Sequence, residues 1–276
     1  MATYYQPSGK SSGAGILILL VGGLVAAVVL GAIYAYATHF IPFIYISFLL
    51  TMGYAFAMGW VVNQLTKMGK IRNPSLVMWA SIIIGIVAVY SAWVFWFHAA
   101  LGVLFVNPMD VLGAQQVLGL TGAWSIGSFA PTGTTLYAFW GVEAAIIAIG
   151  TWLSSQNQVL EPFCEPCEKW LETKKEVTNL SLSEAPTELL KSLEAGSVDD
   201  LLKLKKTEDS AYTKISLKDC PSCKVTTLMD LGIAEIVVDN EGKASEKVSM
   251  LMENFVLTPQ NFAKIESHIW ENASVA

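Results

Sequence analysis

Charge is scarce in this chain. Only 14% of its 276 residues are Asp, Glu, Lys or Arg, against roughly a quarter in ordinary soluble domains. Hydrophobic residues make up 53%, and mean hydropathy is +0.49. That combination excludes an ordinary soluble fold and a disordered chain alike, and leaves an integral membrane protein. Histidine is scarce too: His39, His98 and His268 are the three. With so few, and so far apart, a Ser/His/Asp hydrolase set is hard to build. A P-loop, a dinucleotide-binding glycine pattern, an HExxH helix and internal repeats are all missing, so the chemistry points away from an enzyme. Cysteine is absent from the first 163 residues, and all four thiols fall between positions 164 and 223.

What charge there is lies unevenly. Residues 1–156 hold four basic residues (Lys10, Lys67, Lys70, Arg72) and two acidic ones (Asp110, Glu143), a net of +2, whereas residues 157–276 carry 13 Lys and 21 Asp/Glu, a net of −8. Two domains are therefore expected, a transmembrane one over 1–156 and a soluble one over 157–276. The acidic balance of the second argues against nucleic acid and against docking on anionic lipid, since both need a net positive surface.

Four apolar runs, near Gly15 to Ala37, Ile41 to Leu65, Leu76 to His98 and Leu136 to Leu153, are long enough to cross a hydrocarbon layer of ~30 Å. They predict an all-α four-helix transmembrane bundle in contact with membrane lipid. Lys10 ahead of the first run and Ala35-Tyr36-Ala37 near its end have the form of a signal peptide, but the apolar core exceeds the usual ~7–15 residues, so a retained span is expected. Lys10, the Lys67/Lys70/Arg72 group and Lys169, Lys174 and Lys175 flank the spans on one side, and neither the short link after the first helix nor residues 99–135 contain a basic residue. The positive-inside rule then places both termini and the soluble domain in the cytoplasm.

Small residues recur every fourth position in the first span (Gly23, Ala27, Gly31, Ala35) and in the second (Ser47, Thr51, Ala55, Gly59). Such ridges let backbones approach closely, and a tight hairpin of these two helices is expected, with a second protomer as the other candidate partner. The external segment 99–135 has one formal charge, Asp110, and is otherwise rich in Leu, Val, Gly and Pro. Pro108 can open a short helix there, with Val111, Leu112, Val117 and Leu118 at the membrane interface or over the outer helix ends. Trp93, Trp96, Trp124 and Trp140 read as an outer aromatic belt. Glu143 is the one carboxylate well inside a span. It must face protein or water, be protonated, or be paired, and His98 and His39 lie at comparable depth as candidate partners, in a hydrogen bond or a small proton or metal site.

The strongest motif is a pair of CxxC turns. Cys164-Glu165-Pro166-Cys167 and Cys220-Pro221-Ser222-Cys223 are separated by 52 residues. Two such turns bring four thiolates together in a tetrahedron suited to zinc, and reducing cytoplasm disfavours disulfides. In these knuckles the soluble half resembles the zinc ribbons, which clamp a metal between β-hairpins; the long spacing requires an insertion. Between the knuckles a strand is predicted over Lys174–Leu182, helices over Ala185–Glu194 and Ser197–Leu204 as a protruding arm, and a strand over Tyr212–Leu217. Beyond them, strands are predicted at Val225–Asp230, Ile233–Val238 and Lys247–Leu257, with a turn at residues 239–242 and a terminal helix opened by Thr258-Pro259. His268 on that helix reads as a surface residue. The expected fold is thus a transmembrane four-helix bundle plus a small α+β zinc-ribbon-like cytoplasmic domain, and the whole plan resembles bacterial four-span inner-membrane proteins of unassigned activity. The expected role is a non-enzymatic subunit or adaptor that meets a protein partner or a second copy of itself. A membrane thiol–disulfide oxidoreductase is the alternative, and a proton or ion path through Glu143 is the third.

Overall fold

A computed structural model describes residues 4–41, 43–125, 130–223, 225–238 and 243–273. The chain forms two compact units, residues 7–160 and residues 161–276, the second joined by the N-terminal residues up to Gln6. The boundary therefore falls at Leu160, and the N-terminal residues belong with the C-terminal unit.

In the first unit the elements are α1 (Gly13–Phe40), α2 (Ile44–Met68), α3 (Pro74–Leu101), α4 (Pro108–Thr121), α5 (Gly133–Ser154) and the single turn α6 (Asn157–Leu160). Four of them, α1, α2, α3 and α5, are long and apolar enough to cross a membrane. Polar residues define the ends: Ser12 accepts the Gly15 N–H at 2.9 Å, and Asn73, followed by Pro74, accepts the Leu76 N–H at 3.0 Å. These side chains satisfy amides that the helix itself leaves free. Val25, Ile33, Phe56, Trp60, Trp79 and Ile86 all stay exposed on the outside, so the helices are apolar on their outer as well as their inner faces. The interior is built from Leu19, Met58, Val62, Ile71 and Ile84.

Both small-residue ridges are used inside this unit, with partners other than those expected. The α1 ridge lies against α3: a Cβ on Gly23 would sit 2.3 Å from Ile84, and one on Gly31 2.9 Å from Ser91. The α2 ridge lies against α5, where a Cβ on Gly150 would come within 2.9 Å of Ala55. Helices α1 and α2 do touch, but spacing identifies a face and not which helix covers it. The short helix starting at Pro108 is present, capped by Asn107. Its Val111 is buried against Val94 and Phe97 of α3, whereas Leu112, Val117 and Leu120 remain exposed.

The second unit contains β1 (Phe163–Cys164), β2 (Lys169–Trp170), β3 (Glu172–Leu180), α7 (Pro186–Glu194), a 3-10 turn at Leu201–Lys203, β4 (Ala211–Asp219), β5 (Thr227–Val238), β6 (Ala244–Val256) and α8 (Pro259–Ala273). Strands β1 and β2 form a small hairpin, and the others an antiparallel sheet in the order β3-β4-β5-β6. Thr258 caps α8, its hydroxyl accepting the Asn261 N–H at 3.2 Å.

Three expectations need correction here. The second predicted helix shrinks to the 3-10 turn, because Asp199 and Asp200 precede too few residues to propagate a helix. The pair is no protruding arm: Leu189, Leu193, Val198 and Leu201 are buried with Ile215, Met229, Phe255 and Ile265 in one core. The two strands read on either side of Leu231-Gly232 are one continuous strand, β5, whose glycine is accommodated beside an irregular register with β6. The turn expected at residues 239–242 lies outside the described residues.

The β6 irregularity is specific. Asn254 has φ 51°, and its N–H is taken by Asp230 Oδ1 at 2.7 Å while Lys218 Nζ reaches Asp230 Oδ2 at 2.7 Å and Asn254 Oδ1 at 3.0 Å. The Asn254 carbonyl accepts the Tyr5 N–H at 2.9 Å, and Tyr4 bridges to Phe255. Tyr4 and Tyr5 thus pair with the outer edge of β6.

Candidate metal centre and intramembrane polar cluster

Each CxxC motif occupies the turn of an antiparallel hairpin. Cys164 ends β1 opposite Lys169 of β2, with Cys167 in the turn between them. Cys220 follows β4 and donates its N–H to the Thr226 carbonyl at 3.2 Å, with Cys223 in the same connection before β5. Glu168, just beyond the first knuckle, takes φ 50°, the left-handed conformation that turns the chain sharply into β2. The knuckles are tied by Lys169, whose Nζ donates to Ser222 Oγ at 2.8 Å. Beside them Phe163 is buried with its ring edge-on to Trp170 at 4.9 Å.

The four sulfurs lie within 4.8 Å of one another, and Cys164 and Cys223, from different motifs, are 3.6 Å apart. A tetrahedral metal bound at about 2.3 Å needs sulfurs about 3.8 Å apart, so the cluster matches that requirement. All four cysteines are free thiols. Cys223 is held down to about 6, first by the Val225 backbone N–H and then by the Cys167 thiol. Sharing that proton pushes Cys167 up to about 12, and burial raises Cys164. A bound cation would displace the protons these thiols share. The residues present fit a thiolate-bound metal ion. His268, half-buried on α8, stays outside the cluster.

The polar candidates of the helical unit are arranged differently from the expected pairing. Glu143 accepts a hydrogen bond from Tyr34 at 2.6 Å, and the Tyr34 hydroxyl also lies 2.8 Å from Thr51 Oγ1. His98 is engaged instead by Tyr36, at 2.6 Å from Nδ1. His39 packs edge-on against Phe40 and Trp96, and with Glu143 it lines one cavity. The tryptophans read as an outer belt also line that cavity. Sequence reasoning misses Tyr34 as the partner of the carboxylate and Thr51 as the partner of Tyr34, although both lie on or beside the small-residue ridges, where a polar hydroxyl is unusual enough to mark them. Ala35, at the cleavage-like tripeptide, is buried inside α1.

No protein-family model, curated protein or solved structure matches the chain.

Proposed function

We propose that this chain is a non-enzymatic membrane subunit or adaptor, anchored by four helices and presenting a cytoplasmic interaction domain stabilised by structural zinc. The observation that carries the reading is the sulfur cluster, four thiols within 4.8 Å at the tips of two hairpins. Four thiolates with no open position suit a redox-inert structural ion. The thiol-redox alternative would use the two cysteines of one motif, whereas the 3.6 Å pair, Cys164 and Cys223, joins different motifs. The cytoplasmic placement of both termini, at what the bacterial resemblance makes an inner membrane, rests on the basic residues, and a second feature puts the two termini on one side. Lys10 and the Lys67/Lys70/Arg72 group share one end of the bundle. The N-terminal residues also belong to the C-terminal unit, which requires an even number of crossings.

Metal analysis of the purified full chain tests this, with one zinc per chain and thiols inert to alkylation as the expected result. Cys164→Ser or Cys220→Ser removes the metal and makes the C-terminal domain protease-sensitive, since a structural zinc contributes on the order of 10 kcal/mol to folding. Metal-free protein with readily oxidised cysteines, or substituted domains as resistant as wild type, refutes the reading.

A further inference from the structure

A cavity of about 440 Å³ lies within the helical unit, at the end where α1 finishes and α2 begins. Two chemistries meet in its wall. The first is a single fixed carboxylate, Glu143. Tyr34 holds it at 2.6 Å, and Tyr34 is itself fixed by Thr51 and by a stacked Tyr54 at 4.8 Å, whose hydroxyl donates to the Ala27 and Ala88 carbonyls. Tyr34, Thr51 and Tyr54 are all buried, so the carboxylate is presented by a rigid support. The second is indole: Trp93, Trp96, Trp124 and Trp140 all contribute to the lining. Trp93 and Trp140 stand 4.9 Å apart at 82°, two adjacent walls at nearly a right angle. Trp140 lies one helical turn before Glu143, on the same face of α5.

Among the described residues, neither lysine nor arginine lines this cavity, so its carboxylate has no permanent cation from them. A carboxylate within a membrane span calls for a positive partner, and indole faces attract cations through their quadrupole. A bare divalent ion is a poor match, because it needs several oxygen ligands and the wall supplies one carboxylate. A neutral lipid tail would use the indoles and leave the carboxylate unmatched. We infer that the cavity binds an organic cation, an amine or quaternary ammonium group whose charge pairs with Glu143 and whose substituents rest against the tryptophans. The same chemistry is offered by a free amine and by an ammonium lipid headgroup. This site is independent of the cysteine cluster.

The test uses the full chain in dodecyl maltoside, which carries no ammonium group, titrated with benzyltrimethylammonium and read by calorimetry and tryptophan fluorescence. Saturable binding at one site per chain is expected. Glu143→Gln and Trp140→Leu each weaken it at least tenfold, while Trp79→Leu, on the exposed outer face of α3, leaves it unchanged. The neutral isostere neopentylbenzene should not displace the cation. Displacement by added phosphatidylethanolamine identifies a headgroup as the natural source, and displacement by soluble amines alone identifies a free cation. Absence of saturable binding, equal competition by neopentylbenzene, or wild-type affinity in both cavity variants overturns the inference. Should Glu143→Gln fail to fold, Trp140→Leu and the comparison of cation with isostere still decide it.

Discussion

Gly59 on α2 has no room for a single extra carbon. A Cβ there would sit 1.9 Å from Ser154 Oγ, 2.7 Å from Ser154 Cβ and 3.0 Å from the Thr151 carbonyl oxygen. Rotating the serine removes only the first of these contacts, because the other two involve a Cβ and the backbone of α5. The helices must therefore separate, and the separation strains a nearby clasp in which Asn63 donates to the Ser154 carbonyl at 2.6 Å and accepts the Gln158 N–H at 3.1 Å. Overpacking of this kind costs about 1–3 kcal/mol. At Gly53 on the same helix an added methyl would meet no atom within 4 Å, so Gly53→Ala is the matched control and should be nearly neutral. Ser154→Gly in the Gly59→Ala background removes the two closest contacts and should recover part of the loss, a coupling of about 1 kcal/mol. Reversible unfolding of the full chain in mixed micelles, followed by helical circular dichroism, measures wild type, these three variants and Ser154→Gly alone, which the coupling requires. Equal stability of Gly59→Ala and Gly53→Ala, or no coupling with Ser154→Gly, refutes the assigned α2–α5 contact.

Cysteine introduced at Gln115 should react with an impermeant maleimide on intact cells and cysteine at Met68 should not; the opposite pattern inverts the topology. Asp230→Ala leaves Lys218 without its carboxylate and Asn254 without an acceptor, so a loss of about 3 kcal/mol or more is expected, with faster hydrogen exchange at the Tyr5 amide. Lys174 is held above the usual ammonium range mainly by its hydrogen bond to Glu266, at 2.6 Å. Its contribution is thus complete below the unfolded value near 10.4 and fades as pH rises through the folded one. Pulse proteolysis of Glu266→Gln should show a deficit of about 0.2–1 kcal/mol at pH 7 that disappears in strong alkali, and a deficit growing with pH contradicts the sign.

Features set by local periodicity or local chemistry were legible in the chain: four long apolar helices, the Pro108 helix, the Thr258 cap, and the four cysteines as one group. What escaped depended on long-range choice. Gly23 and Gly31 mark a face of α1, but only the fold decides that Ile84 and Ser91 cover it. Glu143 announced that it needed a partner, yet its partner, Tyr34, is 109 positions away, and a tyrosine in an apolar helix looks like any other aromatic. Leu231-Gly232 looked like a break because a glycine weakens a strand. The sheet overrides that weakness by pairing both flanks of the residue with β4 and β6.

The hydrogen bond from Tyr5 to the Asn254 carbonyl joins residues 249 positions apart in the chain. At about 5–20 residues per second, Tyr5 waits roughly 12–50 s before its docking strand exists, and all four long helices are synthesised during that interval. Docking then requires both partners in the same compartment. A chain that threaded only three helices would hold Tyr5 and Asn254 on opposite faces of the membrane, with the β6 edge left open. On the proposed topology, only a chain whose insertion count is even can close this seam.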